Sequence, residues 1–211
     1  AIGMGSRIGP NFLAASVGFG GSCFQKDILN LVYIARSLGL DEVANYWHQV
    51  IILNDHQKNR FARIILKKLY GTISGKTIAF LGWAFKKNTN DTRESAAIYV
   101  ANMLLDEKAN IKVYDPKVSS KQIINDLNNV SDDFTEKKSK LVSSYENPYD
   151  ALKECHAIAV LTEWEEFKDL DWKKIYSIMQ KPAFIFDGRN ILNQKKLQEI
   201  GFEYYGIGIT K

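Results

Sequence analysis

No apolar run in this 211-residue chain is long enough to cross a bilayer. Stretches such as TIAFLGWAF (77–85) and HAIAVL (156–161) fall far short of the roughly 20 residues a spanning helix needs. A dominant charge is missing as well: 28 Lys and Arg against 24 Asp and Glu leave a formal charge of +4. A nucleic-acid protein would carry a concentrated basic stripe, so no nucleic-acid partner is expected, while small anionic ligands stay open. Cysteine is scarce. Cys23 and Cys155 stand far apart with no C-x-x-C spacing, which argues against a zinc site or a disulfide framework and fits a reducing, cytoplasmic setting. The three histidines, His48, His56 and His156, show no metal-ligand pairing, and no metal is expected. No internal repeat is found. The opening AIGMGSRIGP has no initiating Met and no apolar signal stretch, so the chain reads as a piece of a longer protein.

What is present is an ordinary soluble composition, 45% hydrophobic and 25% charged, enough for one large domain or two modest ones. Apolar residues Ile28, Leu29, Leu31, Val32, Ala35 and Leu38 recur with helical period from Phe24 and stop at Gly39. A second pattern starts near Asp41 and passes through Val43, Trp47, Val50, Ile51, Phe61, Ile64, Ile65 and Leu69 to Gly71 without a proline. That predicts a helix of nearly thirty residues, readable either as a dimer spine or as one curved core helix.

After Gly75 the period changes. KTIAFLGWAF, AAIYVANMLLDEKA and NIKVYDP form a βαβ pattern, and HAIAVLTEW, PAFIFDGRN and EYYGIG supply further apolar strands separated by DWKKIYSIMQK and NQKKLQEI. Continuous apolar strands alternating with helices predict a doubly wound α/β domain, its parallel sheet covered on both faces. The expected division is a helical region over 1–74 and a Rossmann-like domain over 75–211. Residues 117–147, rich in Ser, Lys, Asp and Asn, read as a surface excursion with a short helix.

GFGGSCFQKD, at 18–27, concentrates the chemistry. Ser22 with Gln25 three residues on matches a capping box, which would make Ser22 the N-cap and Cys23 the first helical residue. Unpaired N–H groups and the partial positive charge there favour a thiolate; stabilising it by ~1 kcal/mol raises its small fraction at neutral pH about fivefold. Gly18, Gly20 and Gly21 leave room for a substrate, and Phe19 and Phe24 are candidate pocket walls. Asp27, one turn beyond Cys23, is placed to polarise water. These features suit covalent thiol catalysis, yet spacing alone favours a buried, inert cysteine, a reading that fits Cys155 better still.

The first strand-to-helix turn, LGWAFKKNTNDTRES, lacks G-x-G-x-x-G and has Gly82 alone. Lys86, Lys87 and Arg93 there could hold phosphate in place of backbone amides. GFGGSCFQKD, LGWAFKKNTNDTRES, KVYDPKV and AFIFDGRN, in that order, resemble the UDP-glucose 6-dehydrogenase branch of the UDP-glucose/GDP-mannose dehydrogenase family over essentially the whole chain.

The resemblance implies an NAD-dependent, four-electron oxidation of UDP-glucose to UDP-glucuronate. This chain would carry the central dimerisation helix and the UDP-sugar domain, without the NAD domain. Cys23 would capture the aldehyde as a thiohemiacetal that becomes a thioester, and Asp27 would activate water. Arg7, Phe12, Ala14, Ala15, Ser16, Val17, Gly18, Phe19, Gly20, Phe85, Lys86 and Arg189 match substrate contacts, and Arg93 matches the contact to NAD. A dimer through the long helix is implied, with a hexamer as the alternative. Asn88, Asn90 and Asn190 depart from the family pattern. The competing functions are a GDP-mannose or UDP-N-acetylhexosamine dehydrogenase and, for the isolated chain, a nucleotide-sugar-binding and assembly module without turnover.

Overall fold

The computed structural model describes residues 2–6, 9–10, 13–131 and 134–209. Two helices come first, α1 (Phe24–Ser37) and α2 (Asp41–Lys68), close to the expected ranges. Between them the chain turns with Gly39 N–H donating to Arg36 O at 3.0 Å and Leu40 N–H to Ala35 O at 2.9 Å, a Schellman closure. Strands β1 (Thr77–Leu81), β2 (Asn110–Tyr114), β3 (Val142–Tyr145), β4 (Ala157–Val160), β5 (Phe184–Asp187) and β6 (Glu203–Gly206) form one sheet. Its order is β3-β2-β1-β4-β5-β6 and every pairing is parallel.

Helices α3 (Ala96–Asp106), α4 (Ser120–Val130), α5 (Glu136–Ser139), α6 (Pro148–Leu152), α7 (Trp172–Ile178) and α8 (Gln194–Ile200) connect the strands. Side-chain caps mark several starts: Ser95, Ser119, Asn147, Asp171 and Asn193 each accept a first-turn N–H. The 117–147 excursion holds more structure than expected, because α4, α5 and the edge strand β3 lie within it. β3, reading VSSY and only half-buried, has no apolar run to announce it.

The pleat sorts the strands' side chains to two cores. Ile78 and Phe80 of β1 join Val113, Ala159 and Phe186 beneath α3 and the second half of α2. Ala79 and Leu81 join Ile158, Val160 and Ile185 beneath α6, α7 and α8. Phe61, Ile65 and Leu69 thus bury the C-terminal half of α2 against the sheet, each contributing about 1.5–3 kcal/mol of transfer free energy. The N-terminal half of α2 packs elsewhere, with Ala44 and Ile51 against Ile28, Val32 and Ala35 of α1. Leu31, Tyr33, Val43, Tyr46, Trp47, Ile52 and Leu53 of the same two helices face outward. Among the described residues, no helix is long and apolar enough to cross a membrane.

Candidate functional site

Cys23 is exposed at the start of α1, and its carbonyl accepts the Asp27 N–H at 2.8 Å, closing the first turn. The expected capping box is not formed. Cys23, rather than Ser22, stands at the N-cap with no side-chain cap, and the Ser22 hydroxyl lies 3.6 Å from Cys23 Sγ. The first-turn N–H groups therefore remain open to an anion beside the sulfur. Asp27 is exposed one turn along the same face.

The loop before Cys23 is tied from three directions. Asn54 of α2 brackets Phe19: its Oδ1 accepts the Phe19 N–H at 2.8 Å and its Nδ2 donates to the Phe19 carbonyl at 3.1 Å. Gly21 N–H donates to Arg93 O at 2.7 Å, joining the loop to the segment after β1. Third, Arg189 Nη1 donates to Ser16 Oγ at 2.7 Å. At Gly21, with φ +89°, a Cβ would lie 2.9 Å from the Phe85 ring, and at Gly20 one would lie 2.5 Å from Glu94 O. The space beside these two glycines is thus taken by the β1 loop, so they serve close packing of two loops. Phe19 and Phe24 meet edge to face at 4.7 Å between ring centroids.

Opposite this loop stand the C-terminal ends of the strands, where doubly wound sheets bind their ligands. The turn after β1 is built on Asp115. Its Oδ2 accepts the N–H groups of Trp83 at 2.7 Å and Ala84 at 3.0 Å and the Trp164 indole N–H at 3.1 Å, while Oδ1 accepts the Lys117 N–H at 2.9 Å. In a dinucleotide-binding turn such N–H groups would face pyrophosphate; here a carboxylate of the chain satisfies them. Beyond it, Phe85 is half-buried, and Lys86 is exposed with its ammonium 5.3 Å from the Phe85 ring centre. Arg93, also exposed, pairs in bidentate fashion with Asp91 at 2.9 and 2.8 Å. That pairing lowers the Asp91 carboxyl from its ordinary value and raises the Arg93 guanidinium, with a smaller contribution to Arg93 from the nearby Cys23 sulfur.

Arg189 follows β5 on a turn organised by buried Asp187, which accepts the N–H groups of Arg189 and Leu192 and the Tyr204 hydroxyl, each at 2.9 Å. Burial lowers the pKa of its guanidinium, and the carboxylates of Glu163 and Asp187 oppose that. Val17 is buried, Ala14 is exposed, and Ala15, Ser16, Gly18 and Gly20 are intermediate. Arg7 and Phe12 lie outside the described residues. Asn54, Asp115, Asp187 and Glu163 were not foreseen as site residues. Asn54 carried a signal: it is a polar residue on the buried stripe that includes Ile51, Phe61 and Ile65. Among the described residues no cluster of His, Cys, Asp or Glu suits a metal ion.

A Rossmann-ordered sheet whose turns carry Phe85, Lys86, Arg93 and Arg189, with an exposed thiol on a loop bonded to those turns, defines a Rossmann-like α/β protein. Family models match it at residues 79–194, as the UDP-binding domain of the UDP-glucose/GDP-mannose dehydrogenase family, and at 1–56, as the central domain of that family. The chain belongs to the UDP-glucose/GDP-mannose dehydrogenase family. It is 56% identical over 209 residues to the UDP-glucose 6-dehydrogenase of Drosophila melanogaster, covering 99% of this chain and 44% of the relative. Identity to UDP-glucose 6-dehydrogenase 4 of Arabidopsis thaliana is 56% over 217 residues, covering 99% and 45%. The chain thus spans less than half the length of these curated relatives. A solved UDP-glucose dehydrogenase from Pyrobaculum islandicum superposes with a TM-score of 0.67 at 28% identity, over 95% of this chain and 42% of that one. An NDP-N-acetyl-D-galactosaminuronic acid dehydrogenase from Methanosarcina mazei, at 24% identity, shares the fold with a TM-score of 0.74 over 97% of this chain and 41% of that one.

Proposed function

We propose that this chain is the substrate-binding and assembly half of an NAD-dependent UDP-glucose 6-dehydrogenase. The observation that carries the reading is the exposed Cys23 on a loop bonded to the turns after β1 and β5, in a chain so similar to such enzymes. In this reading residues 1–74 bear the thiol and the self-association helices, and residues 75–211 hold the UDP-sugar. The stretch from Ala14 to Gly20, with Phe85, Lys86 and Arg189, contacts the sugar and nucleotide; Phe12, by its sequence match alone, is assigned to the same pocket, and Arg7 to the neighbouring subunit's substrate.

The chemistry assigned to the chain's own groups balances as follows. Loss of a hydride and a proton from the sugar's primary alcohol gives an aldehyde. The Cys23 thiolate adds to that carbonyl, a C–S bond forms, and the oxygen takes a proton to give a thiohemiacetal. Loss of a second hydride and the hydroxyl proton gives a thioester. Water, giving a proton to Asp27, then adds to the acyl carbon, the C–S bond breaks, and the carboxylate leaves with the thiolate restored, both protons of the water passing to solvent. NAD, when bound, accepts a hydride in each oxidation. Arg93, exposed and cationic, fits one contact to that anionic cofactor, but the sheet's own turn, its N–H groups taken by Asp115, does not fit as its seat.

Self-association through α1 and α2 is supported by the outward Val43, Tyr46, Trp47, Ile52 and Leu53, a concentration of apolar surface unusual for a helix facing water. A cytoplasmic location follows from the reduced cysteines the mechanism needs. The test is calorimetric titration with UDP-glucose together with NADH production. The chain alone is expected to bind UDP-glucose and to produce no NADH. In the full-length enzyme Cys23→Ser is expected to abolish UDP-glucuronate formation, and a normal rate would defeat the covalent mechanism.

A further inference from the structure

Glu163 takes no part in the chemistry above, yet it sits at the switch point of the sheet. It lies just after β4, beside the C-terminal end of β1, where the strand order reverses. Its Oε1 accepts the backbone N–H of Lys87 at 3.2 Å, on the turn that carries Lys86. Its Oε2 is 2.7 Å from Nη2 of Arg189, with the two side chains only 20% and 13% exposed. The same guanidinium donates from Nη1 to Ser16 Oγ at 2.7 Å, and that hydroxyl donates to Gly18 O at 2.6 Å. Arg189 Nε and Glu163 Oε2 are both buried without a hydrogen-bond partner among the described residues, so the two side chains meet as an ion pair and not through an aligned hydrogen bond.

We propose that Glu163 is a positioning residue for nucleotide-sugar binding, one carboxylate fixing the Arg189 guanidinium, the Lys86–Lys87 backbone and, through Ser16, the thiol-bearing loop in a single register. The inference rests on the nucleotide-sugar reading above. Arginine presents five N–H donors in a rigid fork, so anchoring Nη1 and Nη2 also fixes where the remaining donors point. A guanidinium this withdrawn from water needs a counter-charge. Asp187 cannot supply it by direct contact, because its oxygens are engaged by the backbone of Arg189 and Leu192 and by Tyr204. Glu163 does so while its other oxygen holds the β1 turn. The part of its effect that depends on charge is therefore expected to run through Arg189.

Glu163→Gln is nearly isosteric, keeps an acceptor for the Lys87 N–H, and removes only the charge facing Arg189. The experiment is calorimetric titration of UDP-glucose into the folded chain at fixed ionic strength, below each variant's unfolding temperature. Glu163→Gln is expected to raise Kd about tenfold, on the scale of one charge-assisted contact. In an Arg189→Met background the same change is expected not to weaken binding further, a non-additivity that a purely structural role would not produce. Equal losses in both backgrounds would overturn the proposal. So would a Glu163→Gln Kd within about twofold of the unsubstituted chain, or an Arg189→Met variant that binds normally. If Glu163→Gln does not fold, Glu163→Asp, which keeps the charge on a shorter arm, is judged by the same outcomes. Absence of UDP-glucose binding by the unsubstituted chain would instead overturn the nucleotide-sugar reading, and this inference with it.

Discussion

Asn54 hydrogen-bonds both backbone groups of Phe19, thirty-five positions away in the chain, in the manner of a neighbouring strand. Its side chain is the only link described between the middle of α2 and the backbone of Phe19 that uses both a donor and an acceptor. Asn54→Ala is expected to leave a partly buried N–H and C=O unpaired and to lower stability by about 1–3 kcal/mol. Asn54→Asp keeps the acceptor, loses the donor, and sets a carboxylate against a carbonyl, so it should fall at least as far. Urea unfolding of the three proteins checks the order.

The two thiols should separate cleanly in a modification experiment. Cys23 is exposed; Cys155 is buried, its Sγ directed at Leu152 O at 3.0 Å, and burial pushes its pKa up to about 12. A disulfide reagent at pH 8 is expected to titrate one thiol in the native protein and two after denaturation. Cys23→Ser should remove the native reaction, and a fast-reacting thiol in that variant would contradict the placement of Cys155.

His156 predicts an acid limb of stability. Its Nδ1 accepts the Thr77 N–H at 3.1 Å, and burial, then the positive charge of Lys76, lowers its pKa from the ordinary value. A base with a depressed folded pKa is fully stabilising above its unfolded value near 6.5, and loses that contribution as pH falls toward the folded value, because the unfolded chain takes up the proton first. The unfolding midpoint should decline on acidifying below about pH 6.5, and His156→Gln should decline less over the same interval. An identical pH slope in both proteins would assign the acid limb to other groups.

Periodicity makes the scaffold of this protein readable from sequence, and the site only in part. β1, β2, β4 and β5 are announced by apolar runs because helices cover both faces of the sheet. α2 is announced by its length and unbroken stripe, while β3 is not, having a half-buried polar sequence at the sheet's edge. Cys23 stands out locally. The Ser22 cap expected from spacing fails because the chain enters α1 from a loop already fixed by Gly21 and Arg93, with Cys23 itself in the helical region at φ −95° and ψ −57°. Arg189 meets Ser16 across 173 positions, a relation that only the folded sheet creates. Asp115 looks like an ordinary turn aspartate until the N–H groups of Trp83 and Ala84 are seen to converge on it.

The long helix also governs mechanics. One end of α2 is embedded with α1, the other beneath the sheet, and Asn54 in between grips the thiol loop. Such a splint couples the thiol loop to the sheet: swinging them apart means snapping the helix or prising Phe61, Ile65 and Leu69 from their seats, at about 1.5–3 kcal/mol for each side chain. The thiol loop is therefore tied to the sheet through the helix as well as through Arg93 and Arg189.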